Sequence, residues 1–447
     1  MKDKILELLN EKKYNSLFEL LLECNAVDLA FLMGELENED MIKIFRLLSK
    51  DSAAEVFSYM EPDDQERLIS LFSDRELHKI IDEMYFDDTV DLVSEMPAFV
   101  VKRILKTAAP EQRRLINEFL QYPDDSAGSL MTIEFVDLKS HMSVEQAIEK
   151  IRAEGIDKET IYTCYVLDDT RQLIGIVDIK DLLTAGFDTP VSELMQTSVI
   201  TAHTLENKED VARRINKYDL LALPVVDREN RLVGIITIDD AVEVIEEETA
   251  ADFEKMAAIT PTDESYFRTG VWRHSRSRIV WLVLSLLPNI FSGSIIAFYQ
   301  SHNPALLSLT AFIPMLMGAG GNSGSQSSTM IIRGMATDEI ALKDFFRAAW
   351  KELRISLLCA AVLAVVNGVR IALQYNSTLT ALMVSLTMLI TVITANLLGC
   401  MLPMGAKKLK IDPAIMAGPM ITTVMDIASI VIYFNIAIRL LGTASRL

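Results

Sequence analysis

The chain has 447 residues, too many for one hydrophobic core, and 50% of them are hydrophobic. Residues 1–270 hold 29 basic and 57 acidic side chains, a formal charge of −28, whereas residues 271–447 hold 14 and 6, a charge of +8. The acidic half excludes nucleic acid as a partner, because phosphates require a basic surface, and it suits a protein that attracts cations.

The N-terminal sequence, MKDKILELLNEKK, has no long apolar segment and no cleavage site. We therefore expect the first 270 residues to remain in the cytoplasm. The four cysteines lie far apart, at Cys24, Cys164, Cys359 and Cys400. This spacing predicts neither a disulfide framework nor a C-x-x-C metal site.

Residues 26–120 predict a row of short amphipathic helices at a nearly constant interval of 11 to 13 residues. The predicted starts at this interval are Asp28, Asp40, Asp51, Asp63, Asp74 and Asp87, and a further start is predicted at Pro110. Units of this length bury their apolar faces by stacking on one another, which favours an all-α solenoid over residues 1–125. A protein-docking scaffold is the alternative function for such a domain.

A second repeat follows, in which Leu173-Ile-Gly-Ile-Val177 recurs as Leu232-Val-Gly-Ile-Ile236. Each copy predicts a strand, a charged turn, a second strand and a helix, as in a β-α-β-β-α unit. The two copies, at 126–187 and 188–245, resemble a tandem pair of CBS domains. In that family a Thr and an Asp three residues apart, here Thr237 and Asp240, hold an adenosine ribose. The first copy has Asp178 at the Thr position, so the resemblance implies a candidate ATP site in the second copy only.

Residues 246–270 begin as a strongly acidic segment and predict a helix that connects the second repeat to the membrane half. The predicted helix covers residues 241–258, overlapping the end of the second repeat, and contains six acids. Like charges at helical spacing repel one another unless cations offset them. A solvated linker is the alternative interpretation; a bound divalent ion would supply the offset.

From Ile279 onward the sequence contains apolar runs long enough to cross a bilayer, which needs about 20 residues per helix. Five spans are predicted, at 279–299, 305–332, 355–375, 379–402 and 414–438. Basic residues cluster before the first span, between the second and third, and before the fifth. By the positive-inside rule, the N-terminal domains are cytoplasmic and the C-terminus lies outside.

The fifth predicted span carries the strongest functional candidate, Asp426. Ala414, Gly418, Thr422 and Asp426 recur every four residues and share one helix face. An acid inside a span costs several kcal/mol unless it faces water, an ion or a partner, so Asp426 is a candidate ion site. A hydrogen bond from protonated Asp426 to another helix is the alternative. The second span contains Gly318-Ala-Gly-Gly-Asn-Ser-Gly-Ser-Gln-Ser-Ser-Thr329, which would either unwind or closely pack a helix.

With these elements in this order, nearly the whole chain resembles the MgtE family of magnesium channels and transporters. The most specific matches are Gly320-Gly-Asn-Ser-Gly-Ser-Gln326 and Thr422-Thr-Val-Met-Asp426. The resemblance implies a homodimer of the inner membrane that imports Mg²⁺, with Asp426 of each subunit at the pore. Gly320, Gly321, Asn322, Gly418 and Thr422 are the expected pore-lining residues. Ser429 stands where the family usually has Gly.

The resemblance also implies that cytosolic carboxylates bind Mg²⁺ between domains and close the pore when magnesium is high. The matching residues are Glu55, Asp87, Asp91, Glu209, Asp219, Asp240, Glu243, Glu248 and Asp252. Spans without His favour a hard, oxygen-ligated ion such as Mg²⁺, and Co²⁺ or Mn²⁺ remains an alternative.

Three other classes of protein share part of this pattern. An exporter could use the same scaffold, because direction has no clear residue signature. A membrane-anchored CBS sensor would not need an acid inside a span. A membrane enzyme would need a nucleophile with its base, paired acids or a His set, whereas Asp426 is the one acid within the five predicted spans. We therefore predict a transporter and no enzymatic activity.

Overall fold

The computed structural model describes residues 2–262, 266–267 and 269–444; for residues 304–305 and 442–444 it describes the backbone only. The chain divides into two compact units, Met1–Glu246 and Glu247–Leu447. Each unit has its own buried apolar clusters. The two units are therefore described separately.

The first unit opens with ten short helices. They are α1 (Lys2–Asn10), α2 (Tyr14–Leu22), α3 (Ala26–Gly34), α4 (Asn38–Phe45), α5 (Lys50–Ser58), α6 (Pro62–Leu71), α7 (Asp74–Ile81), α8 (Phe86–Glu95), α9 (Ala98–Thr107) and α10 (Pro110–Phe119). Helices two places apart pack together, as α3 with α5, α5 with α7, and α7 with α9. Seven helices, α3 to α8 and α10, begin within two residues of their predicted starts, but α1, α2 and α9 were not predicted.

Local caps explain where several of these helices begin. Ser73 and Glu76 form a reciprocal capping box at α7, and Ser49 caps α5. Pro62 and Pro110 occupy the first turn of α6 and α10, where a missing N–H has no cost. Phe45, Phe57 and Phe72 meet in the core beneath them, with ring centroids 5.3 to 6.4 Å apart.

Two β-α-β-β-α repeats follow, as predicted from the sequence. The first contains α11 (Ala127–Leu130), β1 (Asp137–Leu138), α12 (Val144–Glu154), a 3-10 turn (Gly155–Asp157), β2 (Thr163–Leu167), β3 (Leu173–Asp178) and α13 (Ile179–Thr184). The second contains α14 (Val191–Leu194), β4 (Ala202–His203), α15 (Lys208–Lys217), β5 (Ala222–Val226), β6 (Leu232–Thr237) and α16 (Ile238–Met256). In each sheet the first pair of strands is parallel and the second antiparallel.

The repeated glycines mark where the two repeats exchange backbone bridges. Thr132, before the first sheet, bridges Ile235 of β6, and Gln196, before the second, bridges Ile176 of β3. A Cβ on Gly234 would lie 2.7 Å from the carbonyl oxygen of Thr132. Close backbone approach therefore explains a glycine at this position of the repeat.

The acidic connecting segment is not a separate helix. α16 continues without a break from the second repeat through Glu243 and Glu248 to Met256. The predicted boundary between residues 245 and 246 therefore falls inside α16.

The second unit is helical. Its helices are α17 (Val271–His302), α18 (Ile313–Ala336), α19 (Phe345–Tyr375), α20 (Thr378–Lys408) and α21 (Gly418–Ala444), with 3-10 segments at Pro304–Phe312, Leu342–Asp344 and Pro413–Met416. Within the described residues, four segments are long and apolar enough to span a membrane: Val271–His302, Leu342–Tyr375, Thr378–Lys408 and Pro413–Leu441. α18 is polar along one side, yet it stays helical throughout, so the alternative of an unwound segment is wrong. It packs against α20 and α21.

Candidate functional site

Helix α8 carries four acids, and three of them, Asp87, Asp88 and Asp91, face a group of carboxylates from both repeats. The ligand atoms of Asp87, Glu134 and Glu159 lie within 4.8 Å of one another. Glu134 precedes β1 and Glu159 precedes β2. We call the following residues the acid cluster: Asp87, Asp88, Asp91, Glu134, Glu159, Asp239, Asp240 and Glu243.

Few donors compensate the negative charge of the acid cluster. Asp87 is only 9% exposed, and its buried Oδ1 has no hydrogen-bond partner among the described residues. Oε2 of Glu159 is likewise buried without a hydrogen-bond partner among the described residues. The backbone N–H of Phe86 donates to Glu134 over 3.4 Å, a long contact. Buried carboxylate oxygens without donors are costly, and a cation would satisfy them.

The pKa values of these groups show the same shortage of positive charge. Burial, followed by the neighbouring Asp240, raises the pKa of Asp87 well above its ordinary value. Burial is also the largest cause for Asp91, whose pKa rises to about 7, and for Glu159, whose pKa rises to about 8. Near neutral pH the cluster therefore binds protons or a cation, and a divalent ion would favour the ionised carboxylates.

Three further members, Asp88, Asp240 and Glu134, also have raised pKa values. Burial raises the pKa of Asp88 and of Asp240 to about 6, and that of Glu134 to about 7. The carboxylates of Glu243 and Asp239 contribute to the shift of Asp88. Since the contributing residues come from α8, from two loops and from α16, the cluster joins the N-terminal helices to both repeats.

The nine cytosolic residues predicted from the sequence fall in different places. Asp87, Asp91, Asp240 and Glu243 belong to the acid cluster, and Glu55 is exposed on α5, near Tyr59.

The remaining four lie elsewhere. Glu209 pairs with Arg213 on α15, and Asp219 is exposed just after α15, with a φ of 52°. Glu248 and Asp252 lie on the part of α16 that belongs to the second unit.

The Thr–Asp pair of the second repeat is already formed. Oγ1 of Thr237 donates to Oδ2 of Asp240 over 2.6 Å. At the equivalent position of the first repeat, Asp178 accepts from Thr163 over 3.0 Å. A ribose could thus exchange hydrogen bonds with Thr237 and Asp240, and Asp240 is also a member of the acid cluster.

In the second unit, the end of α16 meets the segment that leads into α21. Nζ of Lys255 lies 3.0 Å from Oδ2 of Asp412 and 3.9 Å from Asp252. Burial would lower the pKa of Lys255, but its bond to Asp412 raises the pKa above the ordinary value. Gly418 has a φ of 31°, and a Cβ there would lie 2.7 Å from the carbonyl oxygen of Met256. Glycine is therefore required where α16 touches the start of α21.

The predicted pore residues lie on α18 and α21. A Cβ on Gly320 would lie 2.8 Å from Thr391 and 2.9 Å from Oγ of Ser429, and one on Gly321 would lie 2.9 Å from Thr422. The glycines therefore bring α18 close to α21, while Asn322 is exposed.

Asp426 lies one turn beyond Thr422 and is half-buried. It has no hydrogen bond or ion pair to any residue that the structure describes. Its carboxylate is thus available to a ligand, and the alternative of a bond to another helix of the same chain has no support.

Sequence reasoning missed several acids. Asp88, Glu134, Glu159 and Asp239 carried no distinguishing local pattern, since only the folded chain brings them together. Glu352 was assigned to a loop because the third span was predicted to start at 355. The helix begins ten residues earlier, at Phe345, and Glu352 is buried in it. The apolar residues of Phe345-Phe-Arg-Ala-Ala-Trp350 could have indicated that this helix starts before residue 355.

Comparison with known proteins agrees with this arrangement. The family described as "MgtE intracellular N domain" matches residues 24–125, "CBS domain" matches 127–188 and 191–247, and "Divalent cation transporter" matches 313–436. A magnesium transporter MgtE of Thermus thermophilus is 34% identical over 439 residues, which cover 97% of each chain. The chain belongs to the MgtE family.

Other MgtE proteins support the assignment. The magnesium transporter MgtE of Bacillus subtilis is 32% identical over 97% of this chain and 96% of its own. The crystal structure of the cytosolic domain of the Mg²⁺ channel MgtE in complex with ATP is 35% identical, with a TM-score of 0.52, and covers 55% of this chain and 100% of that one. This MgtE-family chain therefore has the N domain and CBS pair of its relatives, followed by a helical membrane region.

Proposed function

We propose that the chain is a magnesium transporter that imports Mg²⁺ across the inner membrane and is closed by Mg²⁺ bound to its cytosolic domains. The observation that carries the proposal is the resemblance, over 97% of the chain, to relatives named as magnesium transporters. The acid cluster and the unpaired Asp426 are consistent with it.

The proposed pore uses Asp426 from each subunit of a homodimer. Mg²⁺ gives up water reluctantly and prefers six oxygen ligands at about 2.1 Å, so two carboxylates can hold it through its waters. A cage that removed all of the water would bind the ion too tightly for release. Gly320, Gly321, Asn322, Gly418 and Thr422 remain the proposed pore-lining residues, of which the first two also set the spacing of α18 and α21.

The proposed sensor is the acid cluster. Its carboxylates repel one another when they are ionised, and Mg²⁺ bound between α8, the repeats and α16 would hold these elements together. Glu55, Glu209, Asp219, Glu248 and Asp252 are proposed as further ligands. Turning a 1:99 equilibrium into 99:1 needs about 5.5 kcal/mol of differential binding, which several modest sites supply more readily than one. Neutralising several of these acids together should give a transporter that stays open at high magnesium.

ATP is proposed as a second regulatory ligand of the CBS pair. The Thr237–Asp240 hydrogen bond supports this, as does the relative whose cytosolic domain binds ATP. Equilibrium dialysis with labelled ATP should show binding that Thr237→Val reduces, while Thr163→Val in the first repeat leaves it unchanged.

The proposed architecture follows the sequence analysis. The N-terminal helices form a solenoid over 1–125, the CBS repeats occupy 126–187 and 188–245, the connecting segment covers 246–270, and five helices cross the membrane over 271–447. The N-terminal domains lie in the cytoplasm and the C-terminus outside. α18 corresponds to the second predicted span and is the one of the five with a polar side, which its neighbours α20 and α21 would shield from lipid.

Mg²⁺ flux into liposomes tests the proposal most directly. Wild type, Asp426→Asn and, as a matched control, exposed Asp338→Asn are compared at low and millimolar cytosolic-side Mg²⁺. We expect flux in wild type and Asp338→Asn that millimolar Mg²⁺ inhibits, and none in Asp426→Asn. Absence of flux in wild type under every condition would refute the proposal.

Transport of another divalent cation, or export, is the second candidate function. Carboxylate ligands alone do not separate Mg²⁺ from Co²⁺ or Mn²⁺. The same liposomes, loaded on either side with each ion in turn, distinguish these possibilities.

A further inference from the structure

Helix α19 contains a buried acid that belongs to neither the proposed pore nor the acid cluster. Glu352 is 8% exposed and forms no ion pair with any part of the chain that the structure describes. An ionised carboxylate inside an apolar helical bundle costs several kcal/mol. Its hydrogen bonds show how this cost is avoided.

One hydroxyl group lies between two acceptors. Oγ of Ser327 on α18 is 2.8 Å from Oε2 of Glu352 and 2.9 Å from the carbonyl oxygen of Asn396 on α20. A serine hydroxyl has a single hydrogen, so it cannot donate fully to both oxygens. Both contacts become proper hydrogen bonds if Glu352 is protonated, because its O–H then donates to Ser327 and Ser327 donates to Asn396.

We propose that Glu352 is a neutral carboxylic acid that acts as a positioning residue, holding α18 against α19 and α20 through this two-bond chain. The role in transport rests on the proposed function. The contacts known for Glu352 agree with a neutral acid: Ser327 on α18 is its hydrogen-bond partner, and the Asn396 carbonyl and the buried thiol of Cys400 lie nearby on α20.

The position of α18 matters because its contacts leave little room. Gly399 of α20 is so close to α18 that a Cβ there would lie 2.4 Å from the carbonyl oxygen of Gly324. On the other side, Gly320 and Gly321 meet Ser429 and Thr422 of α21, the helix that carries Asp426. Closely packed helices transmit displacements rather than absorb them. Releasing Ser327 would therefore shift the glycine face of α18 relative to Asp426.

Glutamine tests the neutral state, because its amide donates to Ser327 as a protonated carboxyl does but cannot ionise. We expect Glu352→Gln to keep Mg²⁺ flux within about twofold of wild type. Glu352→Ala should lose roughly tenfold, the size of one buried hydrogen bond, without a change in the Mg²⁺ concentration that closes the transporter. Glu339→Ala, at an exposed acid of the loop between α18 and α19, is the control.

Infrared spectroscopy supplies a readout that packing alone would not change. The difference spectrum between wild type and Glu352→Gln should contain the C=O band of a protonated carboxyl group at neutral pH. A carboxylate band in its place would show that Glu352 is ionised. A Glu352→Gln variant as inactive as Glu352→Ala would show that the charge is required. Either result would overturn the proposal. An active Ala variant would also overturn it. If wild type carries no flux, the proposed function fails, while the infrared band still decides the state of Glu352.

Discussion

Nζ of Lys255 lies 3.0 Å from Oδ2 of Asp412, joining the last turn of α16 to the segment that leads into α21. The pair is partly buried, with side chains 26% and 33% exposed. Under the proposed function, we interpret it as a contact that holds α16 at the start of the Asp426 helix when the transporter is closed.

Breaking this pair should make closure harder. Lys255→Met keeps the length of the side chain and removes the charge, so we expect the Mg²⁺ concentration for half-inhibition of flux to rise about two- to tenfold, consistent with a partly exposed ion pair. Asp412→Asn should have the same effect, since Asn retains the cap that Asp412 provides to the backbone N–H of Ala414. Unchanged inhibition in both variants would show that the pair has no role in closure.

The acid cluster makes the stability of the Mg²⁺-free protein depend on pH. Asp91, Glu134 and Glu159 have pKa values raised to about 7, 7 and 8, so the folded state binds more protons than the unfolded chain. The contribution of these three groups to the free energy of unfolding is then greatest below their unfolded pKa values, near 4, and is lost as pH rises toward 8. Thermal unfolding of the full chain in a chelator should show a lower midpoint at pH 8 than at pH 6.

Magnesium should reverse this loss. Since Mg²⁺ binds ionised carboxylates, it should raise the unfolding midpoint more at pH 8 than at pH 6. An equal effect at both pH values would mean that the cluster does not bind the ion.

Removing one buried carboxylate should separate stability from metal binding. Asp87→Asn eliminates an acid whose Oδ1 has no partner, so the Mg²⁺-free protein should become more stable at pH 8 while its stabilisation by Mg²⁺ decreases. Asp169→Asn, at an exposed turn, should change neither quantity. A destabilised Asp87→Asn variant with full Mg²⁺ response would contradict the assignment.

Two glycines of α18 form a matched pair for testing helix packing. Gly320→Ala places a methyl group against Thr391 and Ser429, and should lower the thermal stability of the detergent-solubilised protein by about 1–3 kcal/mol. Gly318→Ala meets nothing within 4 Å and should be nearly neutral. Combining Gly320→Ala with Ser429→Gly should recover part of the loss, since Oγ of Ser429 is one of the two atoms that would lie within 3.0 Å of the new Cβ. Equal effects of the two single substitutions would refute this packing.

The sequence predicted the order of the elements well, because caps and apolar periodicity are local signals. The Asp and Pro starts located seven of the N-terminal helices, whereas α9 begins after Pro97 without an acidic cap and was missed. Helix ends were less predictable in the membrane half. α17 begins at Val271, before the predicted start of the first span at Ile279. The basic residues that precede Ile279 are helical, but the prediction left them out because they are not apolar.

The site was predictable only in part. Asp426 was identified because an acid in an apolar run is conspicuous by itself. Glu134 and Glu159 are ordinary acids in surface-like sequence, and only the tertiary fold brings them to Asp87. Ser429 was noted as a departure from the family pattern, but its effect could not be read from the sequence. The structure shows it buried, with Oγ donating to the carbonyl oxygen of Met425.

Asp240 accepts a hydrogen bond from Thr237, and its charge adds to the burial that raises the pKa of Asp87. A nucleotide and a cation that both used this carboxylate would be thermodynamically linked, so each would change the affinity of the other by the same factor. One side chain would then let the adenylate supply of the cell set the magnesium level at which uptake stops.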